Sequence, residues 1–259
     1  MPIKLISTDF DGTLFAEFEN PPIPERLQEL IGSLQQRGAK WVINTGRDMS
    51  GLMEALGRAH IAVEPDYLVL VEREIFLHHE SSYVGLEPWN GECEYAHSGL
   101  FARIEPDLAE IVQWVQDRFH ARIYEDPFSP FCIIASSNDD MDTIHEYLNT
   151  YSATVPNLSV VRNDVYARFC HTAYNKGTAL RELGQRLGVA PAQTFAAGDH
   201  LNDLPMLKRE FAHCLATPVN GVPQVKAQVL AEQGFVSDKH AGWGIAEALE
   251  FYINGARAQ

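Results

Sequence analysis

The stretch Ile3-Lys4-Leu5-Ile6-Ser7-Thr8-Asp9-Phe10-Asp11-Gly12-Thr13-Leu14 sets the reading of the whole chain. Residues 3–8 are a short, mostly apolar run of the length of a buried strand, and two carboxylates two residues apart follow it. Gly12 then lets the chain turn sharply. Pro24 sits at a first helical position. Leu27, Leu30, Ile31 and Leu34 recur at i, i+3, i+4 and i+7, and Gly38 closes that helix. Residues 41–44 are the next strand. A strand–helix–strand order implies parallel strands joined by a crossover helix.

The same pattern returns near the far end. Leu180, Leu183 and Leu187 predict a helix ending at Gly188, and residues 194–197 a strand running into Gly198-Asp199. Leu204 and Leu207 suggest another helix, and Cys214-Leu215 a short strand. Residues 1–79 and 171–259 therefore read as a discontinuous α/β core, a Rossmann-like doubly wound parallel sheet. Between them, Leu108, Ile111, Val112, Val115 and Phe119 form a helical stripe. Residues 122–124 and 131–134 read as a strand pair, and Met141, Ile144, Leu148 and Tyr151 as a second stripe. Residues 158–161 and 165–169 flank the hairpin-type turn Asn163-Asp164. This αββαββ order predicts an inserted α+β domain over 80–170. Segment 80–100 has no clear period and reads as a connector.

Composition narrows the function. Thirty-five acids against twenty Lys and Arg give a net charge of -15, which excludes the basic stripe of a nucleic-acid binder. Apolar runs such as 67–71 are strand-sized, too short to cross a membrane. Asp9 and Asp11 interrupt any secretory apolar core, so the expected location is cytoplasmic. Cys93, Cys132, Cys170 and Cys214 lie far apart without a CxxC pair, which predicts free thiols in a reducing compartment. His78-His79-Glu80 lacks the spacing of a HExxH zinc site.

Four clusters fall at predicted strand ends or helix starts, where open α/β sheets bind ligands. Asp9 and Asp11 suit a nucleophile and an acid/base, or a turn with a capping Asp. Thr45-Gly46-Arg47 offers a hydroxyl and a backbone N–H to a phosphate oxygen, or a helix N-cap. Lys176-Gly177 places a cation at a helix start, against the macrodipole, unless an anion lies nearby. Asp199 and Asp203 suit a hard cation such as Mg²⁺, or a helix cap. Acids crowded into one crevice raise one another's pKa values unless a cation joins them.

In order and in residue type, DFDGT at 9–13, TGR at 45–47, NKG at 175–177 and GDHLNDLPML at 198–207 resemble the motifs of haloacid dehalogenase superfamily phosphatases, in the Cof-type and sucrose-phosphatase-like branch. The likeness spans nearly the whole chain. Only one helix fits between Asp11 and Thr45, so the inserted cap (substrate-specificity) domain falls between Thr45 and Lys176. The resemblance implies that Asp9 is the nucleophile forming an aspartyl-phosphate and Asp11 the general acid and base. It implies that Mg²⁺ is held by Asp9, Asp11 (through its carbonyl), Asp199 and Asp203, the last directly or through water. Thr45, Gly46, Lys176 and Asn202 would hold the phosphoryl oxygens. Arg47, Arg162, Arg168, His171 and His200 are candidates for substrate specificity, with Trp89 beside them. The implied substrate is a small phosphorylated metabolite, a sugar phosphate by default, and the implied state a monomer or small homo-oligomer. A phosphomutase or phosphotransferase of the same fold and a catalytically silent binding module are the alternatives. The chain departs from Cof relatives at Val71-Glu72-Arg73-Glu74-Ile75, where those commonly carry Asn-Gly, and in the absence of an extra αβαβ segment within the cap.

Overall fold

The apolar run at the start of the chain forms β1, Leu5–Thr8, buried along its whole length. The computed structural model describes residues 2–257. Its further strands are β2 (Lys40–Asn44), β3 (Tyr67–Leu70), β4 (Glu74–His79), β5 (Ser82–Gly85), β6 (Ala121–Asp126), β7 (Ser129–Ala135), β8 (Leu158–Asn163), β9 (Tyr166–His171), β10 (Thr194–Ala197), β11 (Cys214–Thr217) and β12 (Phe235–Val236). Its α-helices are α1 (Glu25–Gln36), α2 (Met49–Ala59), α3 (Trp89–Ile104), α4 (Leu108–Gln116), α5 (Asn138–Ser152), α6 (Lys176–Leu187), α7 (Pro223–Ala231) and α8 (Ala241–Arg257).

Two units result: the chain up to Leu86 together with the chain from Lys176 onward, and the insertion Glu87–Asn175. In the first, one sheet runs in the order β12-β11-β10-β1-β2-β3-β4-β5. It is parallel from β12 to β3 and antiparallel through β4 and β5. Strand pleating sends alternate residues to opposite faces. Ile6, Ile43, Leu68 and Phe195 join a core with Leu27 and Ile31 of α1, Leu52 of α2 and Leu249 of α8. Leu5, Val42, Ala196 and Leu215, one position off, are equally buried, so both faces are covered as a doubly wound sheet requires. The insertion holds an antiparallel sheet, β6-β7-β9-β8. Phe131, Ile133, Ala167 and Phe169 of that sheet pack against Leu100 and Ile104 of α3, Ile111 and Val115 of α4, and Met141 and Ile144 of α5.

The structure differs from the sequence reading in two places and decides one alternative. Segment 80–100 is not a connector: β5 extends the first sheet, moving that border to Leu86, and α3 opens the insertion. The helix expected around Leu204 and Leu207 is a 3₁₀ turn, Leu201–Asp203, followed by non-helical turns. Pro205 brings no N–H to a helix there, and the Asp203 carboxylate bonds back to amides at 199 and 200 instead of facing solvent. Thr45 is not a helix cap: Asp48 caps α2, accepting from the Gly51 N–H at 2.7 Å. None of the four cysteines is in a disulfide, and Cys93, Cys132 and Cys170 are buried. Among the described residues no helix is long and apolar enough to cross a membrane.

Candidate active site

Parallel pairing of β1 with β10 and β2 brings Asp9, Asp199 and Thr45 to the same end of the sheet. Beyond β1 the chain turns back on itself, with Leu14 and Phe15 N–H groups donating to the Phe10 carbonyl. Gly12 sits at φ 73°, and a Cβ there would lie 2.5 Å from Asp199 Oδ2. Glycine is required on both counts. The turn delivers Thr13, whose hydroxyl donates to Asp199 Oδ1 at 2.6 Å. Asn220 Nδ2 donates to the Gly12 carbonyl at 2.7 Å and to Asp199 Oδ2 at 3.4 Å.

Lys176 opens α6 with its side chain fully buried, and its Nζ lies 2.6 Å from both Asp9 Oδ1 and Asp203 Oδ1. Asn44 Nδ2 donates to the Lys176 carbonyl at 3.0 Å and fixes its backbone. Burial works against the ammonium, but Asp203, Asp9 and Glu72 outweigh it and hold Lys176 charged. Asp9 is pushed well above the usual carboxylate range by burial and by Asp203 and Asp199, which Lys176 offsets in part. Asp199 is pushed up to about 7 by burial and by Asp203, against the Thr13 hydrogen bond.

Asp9, Asp199 and Asp203 each offer a carboxylate oxygen, all within 4.8 Å of one another. Magnesium suits this donor set: the ligands are hard oxygens, and the acids lie buried so close that ionising them together calls for more positive charge than one lysine supplies. Asp203 is the most committed of the three. Its Oδ1 accepts from Lys176, and its Oδ2 accepts from the N–H groups of Asp199 (2.8 Å) and His200 (2.9 Å). A Cβ on Gly198 would meet this carboxylate at 2.3 Å. The geometry makes Asp203 a brace for the Asp199 loop. The Asp11 side chain lies outside the trio, held by Arg47 through two 2.7 Å bonds. Arg47 also donates to the Gly51 carbonyl and lies over the Phe10 ring.

The Thr45–Arg47 loop is pinned to the turn at Val71-Glu72, the stretch that departs from the Asn-Gly of Cof relatives. Val71 N–H donates to the Arg47 carbonyl and Glu72 N–H to the Thr45 carbonyl. Val71 and Glu72 have φ of 44° and 68°, a left-handed conformation costing an L residue about 1–2 kcal/mol. Glu72 is only 4% exposed, and its Oε1 accepts from Asn202 Nδ2 at 2.9 Å. Thr45 is buried, its hydroxyl accepting from the Arg47 N–H at 3.2 Å. Thr13, Asn44, Glu72 and Asn220 are thus the parts of the site missing from the sequence reading. Thr13 lies inside the DFDGT motif, and Asn220-Gly221 is a turn dipeptide in a stretch without periodicity.

The structure separates the three insertion candidates. Arg162 is 8% exposed and tied to Asp142 of α5 (2.5 Å), Asn138 (3.3 Å) and the Asp164 carbonyl (3.0 Å), so it braces a helix against the β8–β9 turn. Its cross-strand partner, Ala167, is in the core on the helix-covered face. Arg168, next along β9, therefore faces the opposite side, in register with Cys132. His171 packs by His97 and Tyr174, with Trp89 on the other side of Tyr174. Burial, helped by Arg103, lowers its pKa. His200 is held through its backbone by Asp203.

Residues 2–253 match the sucrose-6F-phosphate phosphohydrolase family. "Putative phosphatase YxeH" of Bacillus subtilis (strain 168) is 25% identical, covering 95% of this chain and 97% of that protein. The sucrose-phosphatase of Synechocystis sp. PCC6803, solved in complex with sucrose and phosphate, shares the fold at a TM-score of 0.72 and 20% identity, over 97% of this chain and 98% of that one. BT1666 of Bacteroides thetaiotaomicron, a phosphatase of the same superfamily, has a TM-score of 0.63 at 19% identity, over 97% and 95% of the two chains. With its motifs gathered around Lys176 and its length matched almost end to end, the chain belongs to the sucrose-6F-phosphate phosphohydrolase family and is a phosphatase of the haloacid dehalogenase type.

Proposed function

We propose that the protein hydrolyses the phosphomonoester of a small metabolite, a sugar phosphate by preference, through an aspartyl-phosphate on Asp9. The observation that carries this reading is the Lys176 ammonium, 2.6 Å from Asp9 and from Asp203. It joins three motifs far apart in sequence in one buried cluster. Asp9 attacks phosphorus, forming an Asp9 oxygen–phosphorus bond as the ester oxygen leaves. Asp11 gives its proton to that oxygen, then takes one from the water that attacks the aspartyl-phosphate and frees inorganic phosphate. The Arg47 pair stabilises the Asp11 carboxylate between turnovers, so it must open and Asp11 must take up a proton from solvent before Asp11 acts as the acid. Lys176, Asn202, the Thr45 hydroxyl and the Gly46 N–H hold the phosphoryl oxygens, where charge gathers in the transition state. Asp9, the Asp11 main chain and Asp199 would hold Mg²⁺, with Asp203 braced behind them. Bound there, the ion supplies positive charge to the phosphoryl group. Residues 87–175 carry leaving-group selectivity in this reading, with Arg168 ahead of Arg162, and the protein works in the cytoplasm.

The test is phosphate release from a panel of sugar phosphates, nucleotides and other phosphomonoesters, with and without Mg²⁺. Metal-dependent release, with the highest kcat/KM on a sugar phosphate, is expected. A flat zero from folded protein in Mg²⁺ overturns the reading in favour of a binding module. Transfer of phosphate to an acceptor without release favours a phosphotransferase.

A further inference from the structure

We propose that Glu72 is a resident anion of the phosphoryl-binding corner: it holds the corner's donors when no phosphoryl group is bound and weakens the grip on phosphate when one is. This rests on the assignment of Asn202, Gly46 and Lys176 to the phosphoryl clamp. Three independent features point to Glu72. The first is the backbone. Val71 and Glu72 both adopt positive φ, where glycine would sit without strain. Strain of this kind persists only where surrounding structure enforces it, and it concentrates at functional sites. Here the Glu72 and Val71 amides are tied to the Thr45 and Arg47 carbonyls, so the turn is locked to the clamp loop itself.

The second is what the side chain touches. Glu72 Oε1 accepts from Asn202 Nδ2 at 2.9 Å. The same oxygen lies against Gly46, 3.3 Å from where a Cβ would stand. Its charge is also among those that keep Lys176 protonated. Each of these groups is one that an entering phosphoryl oxygen needs. The third is Asn202 Oδ1, buried and without a partner among the described residues. The direction of the Asn202 amide is therefore set by its donation to Glu72.

Asp9, Asp199 and Asp203 already crowd this crevice. A further carboxylate is tolerated because it pairs with the clamp. Once a phosphate dianion takes the clamp, the two like charges stand at contact distance. At an effective dielectric near 20, that repulsion is worth more than tenfold in affinity. An ester substrate has its leaving group to bind as well, whereas free phosphate has nothing else. Glu72 thereby selects against retention of the product.

The experiment is calorimetric titration of inorganic phosphate into the wild-type protein, Glu72→Gln and Glu72→Gly in Mg²⁺ buffer, with thermal unfolding as the folding control. Gln keeps the oxygen that accepts from Asn202 and removes the charge. Gly suits the backbone at φ 68° and removes the side chain altogether. The phosphate Kd is expected to fall about tenfold or more in both variants. A Kd for Glu72→Gln equal to or weaker than wild type overturns the inference alone and leaves Glu72 as a positioning residue for Asn202. Absence of phosphate binding in all three proteins overturns the clamp assignment and the inference with it.

Discussion

A buried ammonium between two carboxylates leaves several acids uncompensated when it is removed. Lys176 has no exposed side-chain surface, and Asp9 and Asp203 both rest on it. Replacing one partner of such a pair costs about 3–5 kcal/mol. Lys176→Met, close in volume, should lose stability of that order in urea unfolding at neutral pH and lose phosphatase activity; wild-type stability would contradict the assigned role. Asp199 makes a second prediction. Its folded pKa of about 7 lies above the ordinary value of 3.8. Between those two values the folded state holds a proton that the unfolded state has released, so metal-free stability falls as pH rises from about 4 to about 7. Asp9, raised in the same direction, adds to this loss. Mg²⁺ favours the ionised acids, so its increment in Tm over chelated protein should be larger at pH 8 than at pH 5. An equal or larger increment at pH 5 would argue against these acids as the metal site.

At the scale of elements, what could be read from sequence followed periodicity. Leu27, Leu30, Ile31 and Leu34 announce α1, and Met141, Ile144 and Leu148 announce α5, because each buries an aliphatic stripe. Helix α3 hides because two of its buried positions, Cys93, His97, Leu100 and Ile104, are not aliphatic, although their spacing is helical. The turn at Val71-Glu72 hides for a different reason: its residues contradict the glycine that its dihedral angles favour. Asp9, Thr45 and Asp199 are legible because each follows the end of a parallel strand, and Lys176 because it opens a helix. The Glu72–Asn202 and Thr13–Asp199 bonds were not, because they join loops distant in sequence. The loop before α2 divides its labour in a way mutation can separate. Asp48→Ala removes the helix cap and should cost about 1 kcal/mol with kcat nearly unchanged. Thr45→Ala removes the buried hydroxyl that accepts from the Arg47 N–H, so it should also cost about 1 kcal/mol or more, but unlike Asp48→Ala it should lower kcat about tenfold or more. A wild-type kcat for Thr45→Ala would leave Thr45 with a structural role alone.

Over the whole molecule the net charge of -15 opposes the capture of a phosphate ester. In the proposed mechanism the local field at the site is another matter, since Lys176, backbone N–H groups and Mg²⁺ would stand where the anion is received. With saturating Mg²⁺ and low ionic strength, added salt should raise kcat/KM modestly by screening the long-range repulsion. A steep fall would mean that the approach to the site is positive despite the overall count.

If Asp9 takes the phosphoryl group, Asp9→Asn must stop turnover, because the substitution keeps size and removes the nucleophilic carboxylate. On the best ester from the panel, with Mg²⁺ present and folding checked by thermal unfolding, phosphate release should fall by about three orders of magnitude or more. Release at the wild-type rate would contradict the account.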